Sequence, residues 1–167
     1  AFYNLSSLTN ISLPSTIETI GASSFKYTGL ESIVLPNGVS TIGIEAFMSC
    51  PLSYIVIPKT VTSIGYEAFY GCNIKDVYYV GTSEDWDNIS INDQNNNNEP
   101  LKTATRHYVT FTYNNDATCT EAGTKTMHCD DCTLNFEPIT DPEHPALGHT
   151  EVVDKGYAST CTETGLT

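Results

Sequence analysis

The first half of the chain alternates apolar and polar positions in a pattern that recurs every 22 residues. Three copies superimpose at this spacing, running from Leu8 to Phe25, from Leu30 to Phe47 and from Leu52 to Phe69. Their shared pattern is L-x-x-I-x-L-P-x-x-V-x-x-I-G-x-x-A-F, in which every position for a large apolar residue stays apolar and the proline and glycine positions never change. One copy cannot bury its own apolar face, so the copies are predicted to stack on one another.

Each copy predicts the same short elements. The alternation at Ile33, Val34 and Leu35 indicates a strand whose inward residues are two apart. The following proline ends the strand, because it has no N–H to donate to a ladder. The Ile-Gly pair predicts a second extended piece and the Ala-Phe pair a helical turn. Stacking at about 4.8 Å per copy then gives a mainly β solenoid with a core of leucine, isoleucine and phenylalanine.

The sequence departs from the repeat pattern after a fourth predicted strand at Ile74, Val77 and Tyr79. The last copy of a solenoid exposes its core unless a cap covers it. Trp86, which follows this strand closely, is predicted to be the lid. Residues 92–98, Asn-Asp-Gln-Asn-Asn-Asn-Asn, are interpreted as a polar low-complexity loop with nothing to bury.

The repeat resembles the leucine-rich repeats of BspA-like bacterial cell-surface proteins, over residues 1 to about 108. The motif is I-x-L-P-x-x-V-x-x-I-G-x-x-A-F, followed three residues later by cysteine at Cys50 and Cys72, with Thr28 at that position in the first copy. The resemblance implies a surface adhesin whose partners are matrix proteins, host cells or other bacteria. Cys50 and Cys72 are one repeat apart and are predicted to be buried free thiols, since parallel Cβ vectors in adjacent copies fit disulfide geometry poorly.

A second repeat occupies the other half of the chain. Residues 117–123 recur as residues 159–165, a spacing of 42. The pattern resembles the cysteine-containing tandem modules that follow repeats in some bacterial surface proteins. The predicted organisation is a capped solenoid at 1–108, a small cysteine-containing β module at 109–149 and a truncated second module at 150–167.

The cysteines of this module predict a structural zinc site. A C-x-x-C spacing lets two thiolates reach one zinc ion at about 2.3 Å each. The predicted ligands are Cys119, Cys129, Cys132 and His149, with His128 and His144 as alternatives for the fourth place. Two other interpretations stay open: a disulfide between Cys119 and one of the C-x-x-C pair, or thiols without a ligand. No other cofactor is predicted.

The charge and hydropathy of the chain limit the classes of partner that it is expected to bind. The 167 residues carry a net charge of −13, and residues 84–167 hold fifteen acids against four bases. Such an acidic chain disfavours nucleic acid and anionic membrane surfaces as partners. No run of 18 apolar residues exists, so no membrane insertion is predicted. Both ends interrupt a pattern, and the chain is expected to be a fragment of an extracellular protein, without its signal peptide and anchor.

The pattern of polar residues predicts a binding protein rather than an enzyme. No histidine precedes His107 and the acids of the repeats are scattered, so no catalytic site and no small-molecule substrate are predicted. The outward positions of the strands form the candidate binding face, since tyrosines often anchor protein interfaces. They are Asn10, Ser12, Ser32, Val34, Tyr54, Val56, Asp76 and Tyr78. The alternatives are a structural stalk presenting another domain, or a pleated face that favours such residues without binding.

Overall fold

The computed structural model describes residues 2–118, 120–129, 139–140 and 146. Backbone contacts divide the chain into two compact units, the first built on Ala1–Thr110 and the second beginning at Phe111. Each unit is described by itself below. The predicted truncated module at 150–167 lies outside the described residues.

The first unit is a solenoid of two parallel sheets, as the repeat predicts. The ladder sheet has the strands β2 (Ser32–Val34), β4 (Tyr54–Pro58), β6 (Asp76–Val80) and β8 (Thr105–Tyr113), and the return sheet has β1 (Thr19–Ile20), β3 (Thr41–Ile42), β5 (Ser63–Ile64) and β7 (Ser90–Ile91). Pairing follows the repeat, since Ile33 aligns with Ile55 and Ile55 with Val77. The mainly β leucine-rich-repeat fold is therefore confirmed.

The Ala-Phe leg is a turn rather than the predicted helical turn. Two residues in each copy have left-handed backbone angles, as at Glu45 (φ 56°) and Ser49 (φ 57°). Left-handed residues interrupt a right-handed helix and reverse the chain. Backbone hydrogen bonds then join each turn to the next copy, as where Phe47 N–H donates to the Ala68 carbonyl at 2.8 Å.

A column of stacked phenylalanines runs through the core. Phe2, Phe25, Phe47 and Phe69 lie with successive ring centroids 5.3, 5.2 and 5.4 Å apart, and with rings within 14° of parallel. Phe47 and Phe69 are fully buried, whereas Phe2, which precedes the first copy, is 38 % exposed. The column buries more apolar surface with each added copy, which stabilises the stack.

The C-terminal end of the solenoid is closed by α1 (Ser83–Asp87), a short 3₁₀ helix (Gln94–Asn96) and α2 (Glu99–Thr103). Trp86 in α1 is buried in the core, with its ring 5.3 Å from that of Tyr79 in an edge-to-face contact. The Arg106 guanidinium lies 5.0 Å from the centre of the Trp86 ring. The prediction that Trp86 is the lid is confirmed.

Residues 92–98, the polar run before α2, were predicted to be a loop that buries nothing. This prediction is wrong. Asn98 is fully buried. Its Oδ1 accepts a hydrogen bond from Phe69 N–H at 3.1 Å, and its Nδ2 donates to the carbonyls of Gly65 at 3.0 Å and Asn92 at 2.6 Å. In earlier copies the equivalent Phe N–H donates to the backbone of the next copy. The side chain of Asn98 thus takes the place of the copy that does not follow.

The described part of the second unit is β structure. Strand β9 (Thr124–Cys129) pairs antiparallel with β10 (Ile139–Thr140). The two carboxylate oxygens of Asp116 accept hydrogen bonds from the backbone N–H and the hydroxyl of Thr124, each at 2.6 Å. These bonds lower the pKa of Asp116 and hold the turn that precedes β9.

Candidate functional site on the ladder face

The parallel register places the outward side chains of the ladder sheet in two rows. The outer row consists of Ser32, Tyr54, Asp76 and Thr105, and the second row of Val34, Val56, Tyr78 and His107. Strand β8 therefore adds a rung that the repeat does not predict. Its sequence departs from the repeat, so its alternation gave no signal that His107 lies beside Tyr78.

The outer row is accessible. Thr105 is exposed, and Ser32, Tyr54 and Asp76 are half-buried. The Nε2 atom of His107 and the Oδ1 atom of Asp76 lie 2.9 Å apart, which fixes the carboxylate while its side chain stays 37 % exposed. In the first copy the predicted face residues Asn10 and Ser12 are exposed and lie outside any strand.

The second row is more buried than the prediction of an exposed binding face requires. Val34 is 36 % exposed, but Val56 is only 1 % and Tyr78 only 2 % exposed. The Tyr78 ring stacks on the His107 ring at 4.8 Å and meets the edge of the Tyr54 ring at 5.9 Å. Val56 lies in register between Val34 and Tyr78. Side chains of adjacent strands thus flank this row, and the expectation that Val56 and Tyr78 face solvent is wrong.

Exposed aromatic residues also occur on the turns. Tyr27 is 39 % and Tyr70 is 47 % exposed, and both lie on the turn that follows the Ala-Phe pair. The signal was present in the sequence as tyrosines just after the invariant phenylalanine column.

The two repeat cysteines have a structural role. The Cys50 thiol donates a hydrogen bond to the Phe25 carbonyl at 2.9 Å, and the Cys72 thiol donates to the Phe47 carbonyl at 3.1 Å. The Thr28 hydroxyl makes the corresponding bond to Phe25 at 2.8 Å, which explains why threonine fits this column. Burial raises the pKa of Cys50 and raises that of Cys72 to about 12. Both are free, as predicted.

Cys129 is disulfide-bonded in the structure. Because Cys50 and Cys72 are free, its partner lies outside the described residues. Among the described residues, no cluster of three or more His, Cys, Asp or Glu side chains could hold a metal ion. A disulfide sulfur is not the thiolate that zinc requires, so Cys129 favours the disulfide interpretation. The other predicted zinc ligands, Cys119, Cys132 and His149, lie outside the described residues, and the zinc site stays a prediction.

Alkylation with iodoacetamide at pH 8 should separate these two interpretations. In the native protein Cys50 and Cys72 should not react, because thiolates are the nucleophiles and their raised pKa values keep them as thiols. After unfolding in denaturant with a chelator and no reductant, both should react while Cys129 does not. Peptide mass spectrometry reads out each site. Labelling of Cys129 before any reductant is added would exclude the disulfide and leave zinc or a thiol without a ligand.

Comparison with known proteins identifies the repeats. A family model described as BspA type leucine rich repeat region (6 copies) matches residues 1–97, more than half of the chain. No curated protein and no solved structure matches the chain. Within the described residues, no helix has the length and apolar character needed to cross a bilayer. The family is a non-enzymatic repeat family, typically associated with surfaces and protein interactions. With its in-register ladder and matched repeats, the chain belongs to the BspA type leucine-rich repeat family.

Proposed function

We propose that this chain is a non-catalytic recognition module of a bacterial cell-surface protein and that its outer row binds a protein partner, such as a host matrix protein. Membership of a family of surface-associated repeat proteins supports the location and the class of partner. The geometry of the outer row supports the place of contact. Ladder faces of solenoids are extended surfaces suited to docking.

The fixed positions of Tyr54 and Asp76 carry this proposal. The Tyr54 ring lies against the buried Tyr78 ring, and the Asp76 carboxylate lies against His107. Side chains held in this way lose little conformational entropy when a partner binds. Tyrosine is a frequent anchor of interfaces, and a half-exposed carboxylate favours partners that present a basic or hydrogen-bond-donating group.

The Asp76–His107 pair fits recognition better than catalysis. The His107 side chain is only 10 % exposed, and its ring stacks on Tyr78. A general base must reach the proton that it removes from a substrate. A buried imidazole stacked on a neighbouring ring is instead well placed to orient the Asp76 carboxylate.

The test compares the double variant Tyr54→Ala/Asp76→Ala with the unchanged chain. Biolayer interferometry over a panel of purified extracellular-matrix proteins measures the dissociation constants. We expect at least about a tenfold loss of affinity, since truncating an interface anchor costs on the order of 2 kcal/mol. Tyr27→Ala, on a turn away from the strands, is the matched control and should bind normally.

Equal affinity of the double variant and the unchanged chain would remove the outer row from the interface. Absence of binding to every protein of the panel would favour the alternative function of a structural stalk or spacer. Val56 and Tyr78 are poor choices for this test, because they are buried and their substitution would also affect stability.

A further inference from the structure

A groove separate from the ladder face opens beside the C-terminal cap. One wall is the turn after the third copy, residues 70–74, and the other is formed by Asn96 together with Glu99, Pro100 and Thr103 at α2. Its volume is about 390 Å³. Grooves of this size are in the range that holds small ligands.

The lining combines one exposed aromatic ring with side-chain amides that are free to bind a ligand. Tyr70 is 47 % exposed. Within the part of the chain that the structure describes, its ring stacks on no other ring, and the side-chain amides of Asn73 and Asn96 make no hydrogen bond. Each amide offers two donor hydrogens and one acceptor oxygen. The Thr103 hydroxyl donates to the Glu99 carbonyl at 3.1 Å and keeps its acceptor capacity.

The walls are held in place by bonds within the protein. Gly71 has a left-handed φ of 75° and Asn96 one of 58°, and Asn96 N–H donates to the Asp93 carbonyl at 3.2 Å. On the other side of the turn, the Cys72 thiol is bonded to the Phe47 carbonyl. The groove is thus largely preformed, which lowers the entropic cost of binding.

The charge of the lining excludes two classes of ligand. Among the residues that the structure describes, no lysine, arginine or histidine lines the groove, and Glu99 contributes a negative charge, so an anion would be repelled. A single carboxylate is also too few for a calcium ion, which takes six to eight oxygen ligands, several of them from carboxylates. A neutral ligand with hydroxyl groups at its rim and an apolar C–H face matches both the side-chain amides and the exposed Tyr70 ring.

We propose that this groove binds a neutral pyranose unit of a carbohydrate. The C–H face of the sugar packs on the Tyr70 ring, because the face of an aromatic ring is negative and attracts the weakly positive C–H hydrogens. The amides of Asn73 and Asn96 bond the sugar hydroxyls as donors and acceptors at once. The sugar is bound and not turned over, and the site is independent of the outer row.

Ligand-observed saturation-transfer NMR tests this proposal. The probes are methyl α-D-glucopyranoside, methyl β-D-galactopyranoside, methyl α-D-mannopyranoside and N-acetylglucosamine, each at up to about 20 mM. At least one should bind with a millimolar dissociation constant, as is ordinary for a ligand of this size in an open groove. Tyr70→Ala should lower that affinity at least about tenfold, and Asn73→Ala should lower it less.

The control is Tyr27→Ala, which removes a similarly exposed tyrosine of the equivalent region in the first copy and should leave sugar binding unchanged. Melting curves of the variants establish that they fold, as expected for a half-exposed side chain. Absence of transfer to all four sugars would overturn the proposal. Undiminished transfer in folded Tyr70→Ala would also overturn it, because binding would then occur elsewhere.

Discussion

Replacing Asn98 by leucine should open the C-terminal cap and lower the free energy of unfolding by about 3 kcal/mol. The change leaves two backbone groups without a partner, the N–H of Phe69 and the carbonyl of Asn92. The Gly65 carbonyl also loses a bond but keeps the one from Ala68 N–H at 3.3 Å. A buried polar group that loses its partner costs about 1–3 kcal/mol. Water entering the loosened cap would recover part of that loss, so the cost should stay below the sum for the two groups.

Urea unfolding followed by circular dichroism and by fluorescence measures the effect. Trp86 is the single tryptophan and lies in the cap, so its emission reports the cap directly. Gln94→Ala, an exposed position of the same polar run, should change stability by less than about 0.5 kcal/mol. If Asn98→Leu unfolds at the same urea concentration as the unchanged chain, Asn98 is not the group that ends the ladder.

The solenoid was predictable because every copy has apolar residues at the same positions. An apolar position that recurs every 22 residues points inward in each copy. The side of the strand on which each position lies is therefore indicated three times by the sequence. The register of Ile33, Ile55 and Val77 follows directly from this redundancy. The cap occurs only once, and its central residue acts through a side-chain amide. Nothing in a run of asparagines distinguishes Asn98, which is buried, from Asn95, which is exposed.

The candidate site was predictable only in part. Alternation correctly placed Tyr54 and Asp76 on the ladder face, because strand geometry alone decides which side a residue takes. Alternation gives no information about what lies against that side. Strand β8 begins 25 residues after β6 ends, and it brings His107 against Tyr78 and Asp76. That contact is long-range and its strand lacks the repeat, so the burial of Tyr78 was missed.

Replacing Gly65 by alanine should lower the free energy of unfolding by about 3 kcal/mol, although it adds only a methyl group. A Cβ atom at Gly65 would lie 2.7 Å from the backbone carbon of Gly43 and 2.7 Å from the nitrogen of Ile44. The two copies cannot separate to make room, since Gly65 N–H donates to the Ile42 carbonyl at 2.8 Å. Inserting atoms into such a packed site typically costs 1–3 kcal/mol, and here both neighbours are backbone atoms.

Gly21→Ala is the matched control, because it lies in the same column of the repeat and a Cβ atom there meets nothing within 4 Å. None of the three glycines needs a left-handed backbone, so conformational freedom does not explain the column. We expect Gly21→Ala to be neutral, or to stabilise by about 0.5 kcal/mol through the unfolded state. Urea unfolding of the two variants separates the causes. Equal losses would mean that glycine serves the turn itself, whereas a loss at Gly65 alone means that the contact between stacked copies imposes glycine on this column.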